Sequence, residues 1–503
     1  MLRLSIDEGD RRRILKLLRV ASGRETGRAK TISLACFDTP RGKLLRAGYR
    51  LSARKKGRTQ VQFTDVASSA SLSPVIPCWT RDIEDGTPTE TRDVPEPLGD
   101  ILGERALRKL QPIVGIDIRR RSTILNRNGA GIVASLDTGT IAAGGAVERI
   151  CELRLEFVSG SPVALCDIAR EFCAAIAATP TLRSHCEKGF RLLHMQADHP
   201  GNTSFSELRD EMTTREAANS VCWSYAASLL DDLALLRSAG GGDILHRSRI
   251  GLRRLRAILW FLRPVLSQDT VALSRHLRSL AQFLGRTREL DVFCDRVLAP
   301  LRMAHPAAPG VDTLVETFDQ RRREAHDEVR AYGRSPAMLE FGVGLIEGLV
   351  ALSCPRPASI KRSELLDRPV AEYVHARLHR RLQAFLEASG HLESCASDRQ
   401  HDIRVDAKKL RYAIEAFRPV IGLKWSGKLV SRLTQMQDQL GELNDARTGH
   451  AIALAYATER TRGGNSELTL FAAGLAAAAC LPDPTSALAK AAAARDDLAA
   501  LAR

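Results

Sequence analysis

HRSRIGLRRLRAILWFLRPVL, His246 to Leu266, is followed 155 residues later by HDIRVDAKKLRYAIEAFRPVI, His401 to Ile421. In both stretches a histidine is succeeded at +3, +7, +8 and +10 by basic residues: Arg249, Arg253, Arg254 and Arg256 in the first, Arg404, Lys408, Lys409 and Arg411 in the second. At about 100° per residue, His246, Arg249, Arg253 and Arg256 fall on one side of a helix, and Leu252, Leu255, Ile258, Leu259 and Leu262 on the other. The second copy repeats the split, with Ile403, Ala407, Leu410, Ala413, Ile414 and Phe417 on its apolar side. Arg263-Pro264 and Arg418-Pro419 close both copies at the same offset, where a proline ends or kinks a helix. Each copy therefore reads as an amphipathic helix with a buried face and a ridge of cations.

Downstream, LGRTRELD (Leu284 to Asp291) corresponds, with a two-residue gap, to LGELND (Leu440 to Asp445). The repeated unit is at least a pair of helices.

A charged helix face is ordinarily solvated and laced with i,i+4 partners of opposite sign. That lacing is mostly missing here. No acidic residue lies between Asp243 and Asp269, Asp402 and Asp406 project away from the second ridge, and only Glu415 lies along it. Unneutralised cations on one ridge repel each other unless an anion lies across them, so the pattern predicts an anion site.

The chain of 503 residues carries a formal net charge of +15, which suits a polyanionic partner. Single-strand nucleic-acid binders interleave aromatics among their cations, whereas this chain is 5% aromatic. A duplex reader uses Asn or Gln against base edges, and neither occurs in the two stretches His246 to Leu266 and His401 to Ile421. Arginine, lysine and histidine without base-reading side chains fit phosphate oxygens.

The double H-x-x-R-x-x-x-[RK]-[RK]-L-R motif, with its LGRTRELD and LGELND partners, resembles the conserved-histidine α-helical domain, CHAD. The resemblance spans about residues 205–497, in halves of about 205–350 and 360–497. It implies an all-α domain of two repeated helical bundles whose basic faces bind inorganic polyphosphate, with polyphosphate granules and their proteins as the setting. Carried over by position, the polyphosphate-binding residues would be His246, Arg249, Arg253, Arg254, Arg256, His401, Arg404, Lys408, Lys409 and Arg411. Each histidine stands one turn before an arginine and would add charge as pH falls.

Residues 1–195 differ in texture. Short alternating runs such as VERICELRLEF (Val147 to Phe157) read as strands between Gly, Pro and Ser clusters. The proline-rich stretch from Asp65 to Asp100 reads as a long surface loop, and residues 196–204 as the interdomain linker. FDTPRGKLLRAGYRLSARKKG (Phe37 to Gly57), then CELRLEF, then EKGFRLL (Glu187 to Leu193), resemble the CYTH domain of triphosphate tunnel enzymes, which often precedes CHAD. That resemblance implies an eight-stranded antiparallel tunnel, with carboxylates for a divalent metal and basic residues for a triphosphate.

Several positions depart from the CYTH pattern. Arg3 stands at the lysine of the opening E-x-E-x-K motif and Met1 at its second glutamate, so either the motif is lost or the natural start lies upstream. Ser52 precedes Arg54 where Arg-x-Arg is expected, Thr64 stands near the tunnel lysine, and His185 replaces the lysine before the Glu-x-Gly turn. The E-x-E-x-E strand reads Glu152, Arg154, Glu156, and an arginine between two carboxylates competes with a metal for them. The expectation is therefore a degenerate domain with no catalytic residue and no cofactor, Mg or Mn entering only if the tunnel were active. Arg50, Arg54, Glu152 and Glu156 remain as a residual tunnel site, or simply as paired charges on a strand face.

With 44% hydrophobic residues the chain can bury two or three cores. Its most apolar run, LTLFAAGLAAAACL (Leu468 to Leu481), reads as a buried helix too short to span a membrane, and no secretory signal is evident. Eleven cysteines without a C-x-x-C pair read as reduced packing thiols of a cytoplasmic protein, with no zinc site. The expected class is α+β, an antiparallel β domain followed by an all-α domain. The expected function is polyphosphate binding, with no membrane or nucleic-acid partner. A metal-dependent inorganic triphosphatase and a nucleic-acid-binding module are the alternatives.

Overall fold

The computed structural model describes residues 2–23, 27–46, 49–56, 58–65, 78–83, 98, 102–127, 129–160, 164–173, 176, 178–196, 208–238, 242–353, 359–462, 467–481 and 484–502. The chain divides into two compact units, one of residues 1–207, 218–234 and 334–356, the other of residues 208–217, 235–333 and 357–503. The class is α+β, as the periodicities require.

In the first unit the strands are β1 (Leu2–Ile6), β2 (Lys30–Asp38), β3 (Tyr49–Lys56), β4 (Arg58–Asp65), β5 (Cys78–Ile83), β6 (Gln111–Arg127), β7 (Ala130–Ala143), β8 (Ala146–Ser159) and β9 (Ala178–Thr181). They form one antiparallel sheet ordered β5-β4-β3-β2-β6-β7-β8-β1-β9. Among the described residues this sheet has nine strands and does not close, in contrast to the eight-stranded tunnel that the CYTH resemblance implies. Strand β5 corrects the reading of Asp65–Asp100 as loop throughout: its six residues pair with β4 from Thr59↔Ile83 to Thr64↔Cys78. The prolines that suggested a loop flank this strand, outside the described residues. The expected linker likewise lies outside them beyond Gln196.

Helices α1 (Arg11–Ser22), α2 (Lys43–Arg46), α3 (Glu104–Leu107), α4 (Ala164–Cys173) and α5 (His185–Gln196) accompany the sheet. Phe190 of α5 is buried among Val114, Ile116, Ile141 and Ile150. A Cβ on Gly189 would meet Val114 Cγ1 at 2.1 Å, so the helix reaches β6 only because that residue is glycine. Cys36 of β2 and Cys186 of α5 form a disulfide with Cα atoms 6.5 Å apart. This corrects the reading of the cysteines as reduced thiols: the two are 150 residues apart, a separation from which no pairing could be read. Cys151, Cys166, Cys222, Cys294, Cys395 and Cys480 are free.

Helix α6 (Thr214–Ser238) contributes its middle to the first unit, and α11 (Pro336–Ser353) lies within that unit. Arg183, after β9, is held by Asp231 and by Ser228 Oγ at 2.7 Å. Arg170 of α4 makes paired hydrogen bonds of 2.9 Å to Glu340 and Glu347.

The second unit is helical: α7 (Gly242–Leu262), α8 (Gln268–Phe293), α9 (Ala299–Ala304), α10 (Val311–Gly333), α12 (Ile360–Asp367), α13 (Val370–Ala388), α14 (Ser397–Ala416), α15 (Arg418–Ile421), α16 (Leu423–Arg462), α17 (Glu467–Ala479) and α18 (Pro484–Leu501). The two repeat helices are α7 and α14, and each packs on the helix carrying the LG motif, α8 or α16. Every residue assigned to the apolar faces is at most 3% exposed, from Leu252 to Leu262 and from Ile403 to Phe417. Helix α7 stops before Pro264 in a short 3-10 turn, and α14 gives way at Phe417 to the brief α15. One π-helical turn, Cys294–Leu298, follows α8.

The apolar run lies in α17, whose Ala472, Ala473, Ala476 and Ala477 are buried with Phe318 and Tyr456. By length and composition alone, the span Glu467–Leu501 that includes α17 and α18 would suffice to cross a membrane, a test that core helices of soluble proteins also pass.

Leu410 of α14 is 1% exposed at the centre of its helix's apolar face. Leu410→Ala is expected to cost about 2–5 kcal/mol through lost transfer energy and a cavity, measured as a lowered urea midpoint of the helical signal. An unchanged midpoint would mean that this face is not a rigid core.

Candidate anion-binding site

Both cationic ridges border one cavity of about 550 Å³ in the helical unit. His246, Arg249 and Arg253 come to it from α7, and His401, Arg404 and Lys408 from α14. These are the residues at +0, +3 and +7 of each copy, one helical stripe taken twice. Two further arginines, Arg288 of α8 and Arg296 of the π turn, complete the basic lining. Against them stand Glu289, Glu442 and Asp445, so cations remain in excess. The remaining wall is apolar, with Val292, Phe293, Ile452 and Ala479 among its members.

Each +3 arginine is tied to the LG motif of its own half. Arg249 Nη1 donates to the carbonyl oxygens of Leu284 and Gly285, at 3.0 and 2.6 Å. Arg404 lies against Gly441, with Nε and Nη2 at 3.7 Å from where a Cβ would stand, and pairs with Asp445 at 3.8 Å. The second LG echo is thereby explained: a small residue lets a guanidinium lie on the neighbouring helix. His401 Nδ1 is 2.8 Å from Asn444 Oδ1, a contact in which the ring donates when its proton is on Nδ1.

The charges are not internally balanced. Among the described residues Arg253 and Lys408 make no ion pair, and Arg253 Nε is buried without a hydrogen-bond partner. Burial, then the neighbouring Arg404 and Arg253, bring the Lys408 ammonium down to about 7. Burial and then Arg253 lower Arg249 to about 10. Burial, then Arg288, Arg253 and Arg249, also depress His246. Burial is the first cause of each shift, and the further lowering by like charges reflects the work of holding the cations together. An anion placed among them would lower that work.

The other four residues carried over from the motif lie elsewhere. Arg254 reaches Glu415 at 3.7 Å and the Tyr412 ring at 5.8 Å, and Lys409 reaches the Trp260 ring at 5.8 Å and Asp406 at 2.8 Å. Arg254 and Lys409 are both at +8, and Glu415 and Trp260 are both at +14. The crossing of α7 and α14 is thus two-fold in character, each helix offering the same position to the same position of the other. Arg411 is occupied by Glu415 at 3.4 Å and Tyr412 at 4.7 Å. Arg256 borders a different cavity, beside α8. Sequence reading missed Arg288, Glu289 and Asp445 as lining residues although they stand in the quoted echoes. It had no signal for Arg296.

Of the residual tunnel residues of the first unit, Arg50, Glu152 and Glu156 are held in ion pairs. Glu152 Oε2 is 2.9 Å from His185 Nε2, and its Oε1 accepts from Lys188. Arg50 Nη2 donates to Glu187 at 2.6 Å, Arg120 binds Asp137 at 2.7 and 2.6 Å, and Arg154 pairs with Glu156. Arg3 is half-buried nearby and pushed down by that burial against the pull of Glu152, Glu187 and Asp137. Glu152, which is buried, and Glu187, which is half-buried, are held below the usual carboxylate range by these cations. No ion pair of Arg54 is found among the described residues. The carboxylates that a divalent metal would need are each committed to a protein cation, and the described residues contain no group of three or more His, Cys, Asp or Glu arranged to hold a metal ion. The residues do not fit the metal that the CYTH resemblance implies.

Residues 224–453 match the family model for the CHAD domain. The C-terminal half of this chain carries a CHAD domain. Among solved structures, the CHAD domain from the plant Ricinus communis is 20% identical, covering 60% of this chain and 98% of its own, with a TM-score of 0.49. A Hippeastrum protein, HpAC1, described as an adenylyl cyclase with a dominant triphosphatase activity, is 14% identical over 40% of this chain and 96% of its own, at 0.25. A Bacillus halodurans protein described as an adenylate cyclase is 9% identical over 35% of this chain and 89% of its own, at 0.23.

Two outcomes are expected. Lys408 in the CHAD domain has a folded pKa of about 7, against about 10.4 in an unfolded chain. Between these values the unfolded state holds the extra proton, so this residue makes stability rise with pH across that window. Thermal unfolding of the wild type should gain on Lys408→Met as pH rises from about 7 towards about 10, and parallel curves would contradict the burial of this ammonium among cations. In the first unit, Lys188→Met leaves the 2% exposed Glu152 side chain with His185 alone. It should cost on the order of 3 kcal/mol in urea unfolding, and no loss would mean that the buried pairing is dispensable.

Proposed function

We propose that the CHAD domain binds inorganic polyphosphate in the cavity where the two cationic ridges meet. The observation that carries this reading is that Arg253 and Lys408, from different repeats, border one cavity with no ion pair among the described residues. A linear polymer with one negative charge per phosphate and no bases matches a lining of arginine, lysine and histidine. Among the described residues the site has no exposed aromatic platform on which bases could stack, which sets nucleic acid behind polyphosphate. On this reading the chain is a binding protein rather than a triphosphatase. It would act in the cytoplasm, at polyphosphate granules, and would need no cofactor.

Affinity should fall steeply with salt, since binding displaces condensed counterions. The test is a titration of the full chain with polyphosphate over a salt series, for Arg253→Glu, Lys408→Glu and the double variant. Each single change should weaken binding by tenfold or more, and the double variant by clearly less than the product, because the two face one ligand. Multiplicative losses would mean two separate sites. Unchanged binding in all three would place the ligand elsewhere, and equal competition by single-stranded RNA at matched phosphate would favour the nucleic-acid alternative.

A further inference from the structure

The two repeats are not equivalent at their outer flanks. Beside α8 lies a second cavity of about 520 Å³, bordered by Arg249, Arg253, Arg256, Gln282, Arg286 and Glu289. It shares Arg249, Arg253 and Glu289 with the central cavity, so the same two guanidinium groups look onto both. Arg256 is half-buried and lowered by burial and then by Arg278, and Arg286 is exposed. Neither makes an ion pair among the described residues.

The matching flank of the second repeat is neutralised by two residue differences. Arg411, the counterpart of Arg256, is paired at 3.4 Å with Glu415, four residues on. The position four residues after Arg256 is Trp260, so the first copy has no such partner. The residue after Leu284-Gly285 is Arg286, whereas the residue after Leu440-Gly441 is Glu442. One flank therefore offers two uncommitted cations and a cavity, and the other offers a closed ion pair and an additional carboxylate.

We propose that a phosphate chain longer than the central cavity leaves it in one direction only, across Arg249 and Arg253 into a second subsite made by Arg256 and Arg286. This rests on the polyphosphate reading above, and it turns the pseudo-symmetric CHAD domain into a polar one with respect to its polymer. The subsite takes successive phosphate groups of a linear chain. Tripolyphosphate, held in the central cavity, does not reach it.

The experiment compares tripolyphosphate with long-chain polyphosphate on the full chain, for wild type, Arg256→Ala/Arg286→Ala and Arg411→Ala. For the long chain the double variant should bind at least about tenfold more weakly, with a salt slope smaller by about two, one unit for each cation removed. Its affinity for tripolyphosphate should match wild type, and Arg411→Ala should leave both affinities unchanged. Arg286→Glu, an exposed change that spares the half-buried Arg256, should reproduce the selective loss and guards against misfolding of the double variant. Equal weakening for both ligands, no weakening for the long chain, or an Arg411→Ala loss as large as that of the double variant would each overturn the one-sided subsite while leaving the central reading intact. If the wild type binds neither ligand, the polyphosphate reading itself fails and takes this one with it.

Discussion

Repulsion among cations that cannot move apart is the constraint on which the helical unit turns. Arg253, Arg404 and Lys408 stand close enough for one to depress another's pKa, because the backbones carrying them are fixed by the burial of the opposite faces of α7 and α14. A like-charge pair at 4 Å costs about 4 kcal/mol at an effective dielectric of 20. Fully burying one large aliphatic side chain contributes about 1.5–3 kcal/mol, and each of these helices buries several. The apolar crossing can therefore hold the ridges together against their charge, and the resulting strain is directed at whatever anion enters.

In the first unit the same physics has the opposite outcome. Its cations and carboxylates have found each other: Arg50 with Glu187, Arg120 with Asp137, Arg154 with Glu156, and Lys188 and His185 with Glu152. A site saturated by its own side chains has little field left for a ligand. The contrast between a neutralised sheet and an unneutralised pair of helices favours the CHAD domain as the seat of binding.

Much of this was legible in the sequence because helical period is a geometric rule. The apolar faces of α7 and α14 follow from residue spacing alone. The ligand-facing set was less legible: Arg254 and Lys409, carried over with the motif, lie at +8, about 80° to the other side of the histidine from +3 and +7, while Arg256 and Arg411 at +10 share the side of +3 and +7 and still lie outside the central cavity. The acids were not legible as part of the site, since Glu289 and Asp445 reach it from α8 and α16 through packing that no spacing records. The strand β5 was hidden by neighbouring prolines, and the Cys36–Cys186 pair by the length of chain between its halves.

Among the described residues strand β1 pairs only with β8 and β9, the last strands of the sheet. During synthesis β1 therefore has neither of these partners until the residues of β8 have been made, and gains the second only with β9. The carboxylate of Glu152 waits a little longer, for His185 and Lys188. Nor is the unit complete then, for it also takes residues 218–234 and 334–356. A unit that draws on chain from well beyond its own sheet is completed only once residues 334–356 have been made, so its folding overlaps the synthesis of the helical unit instead of preceding it.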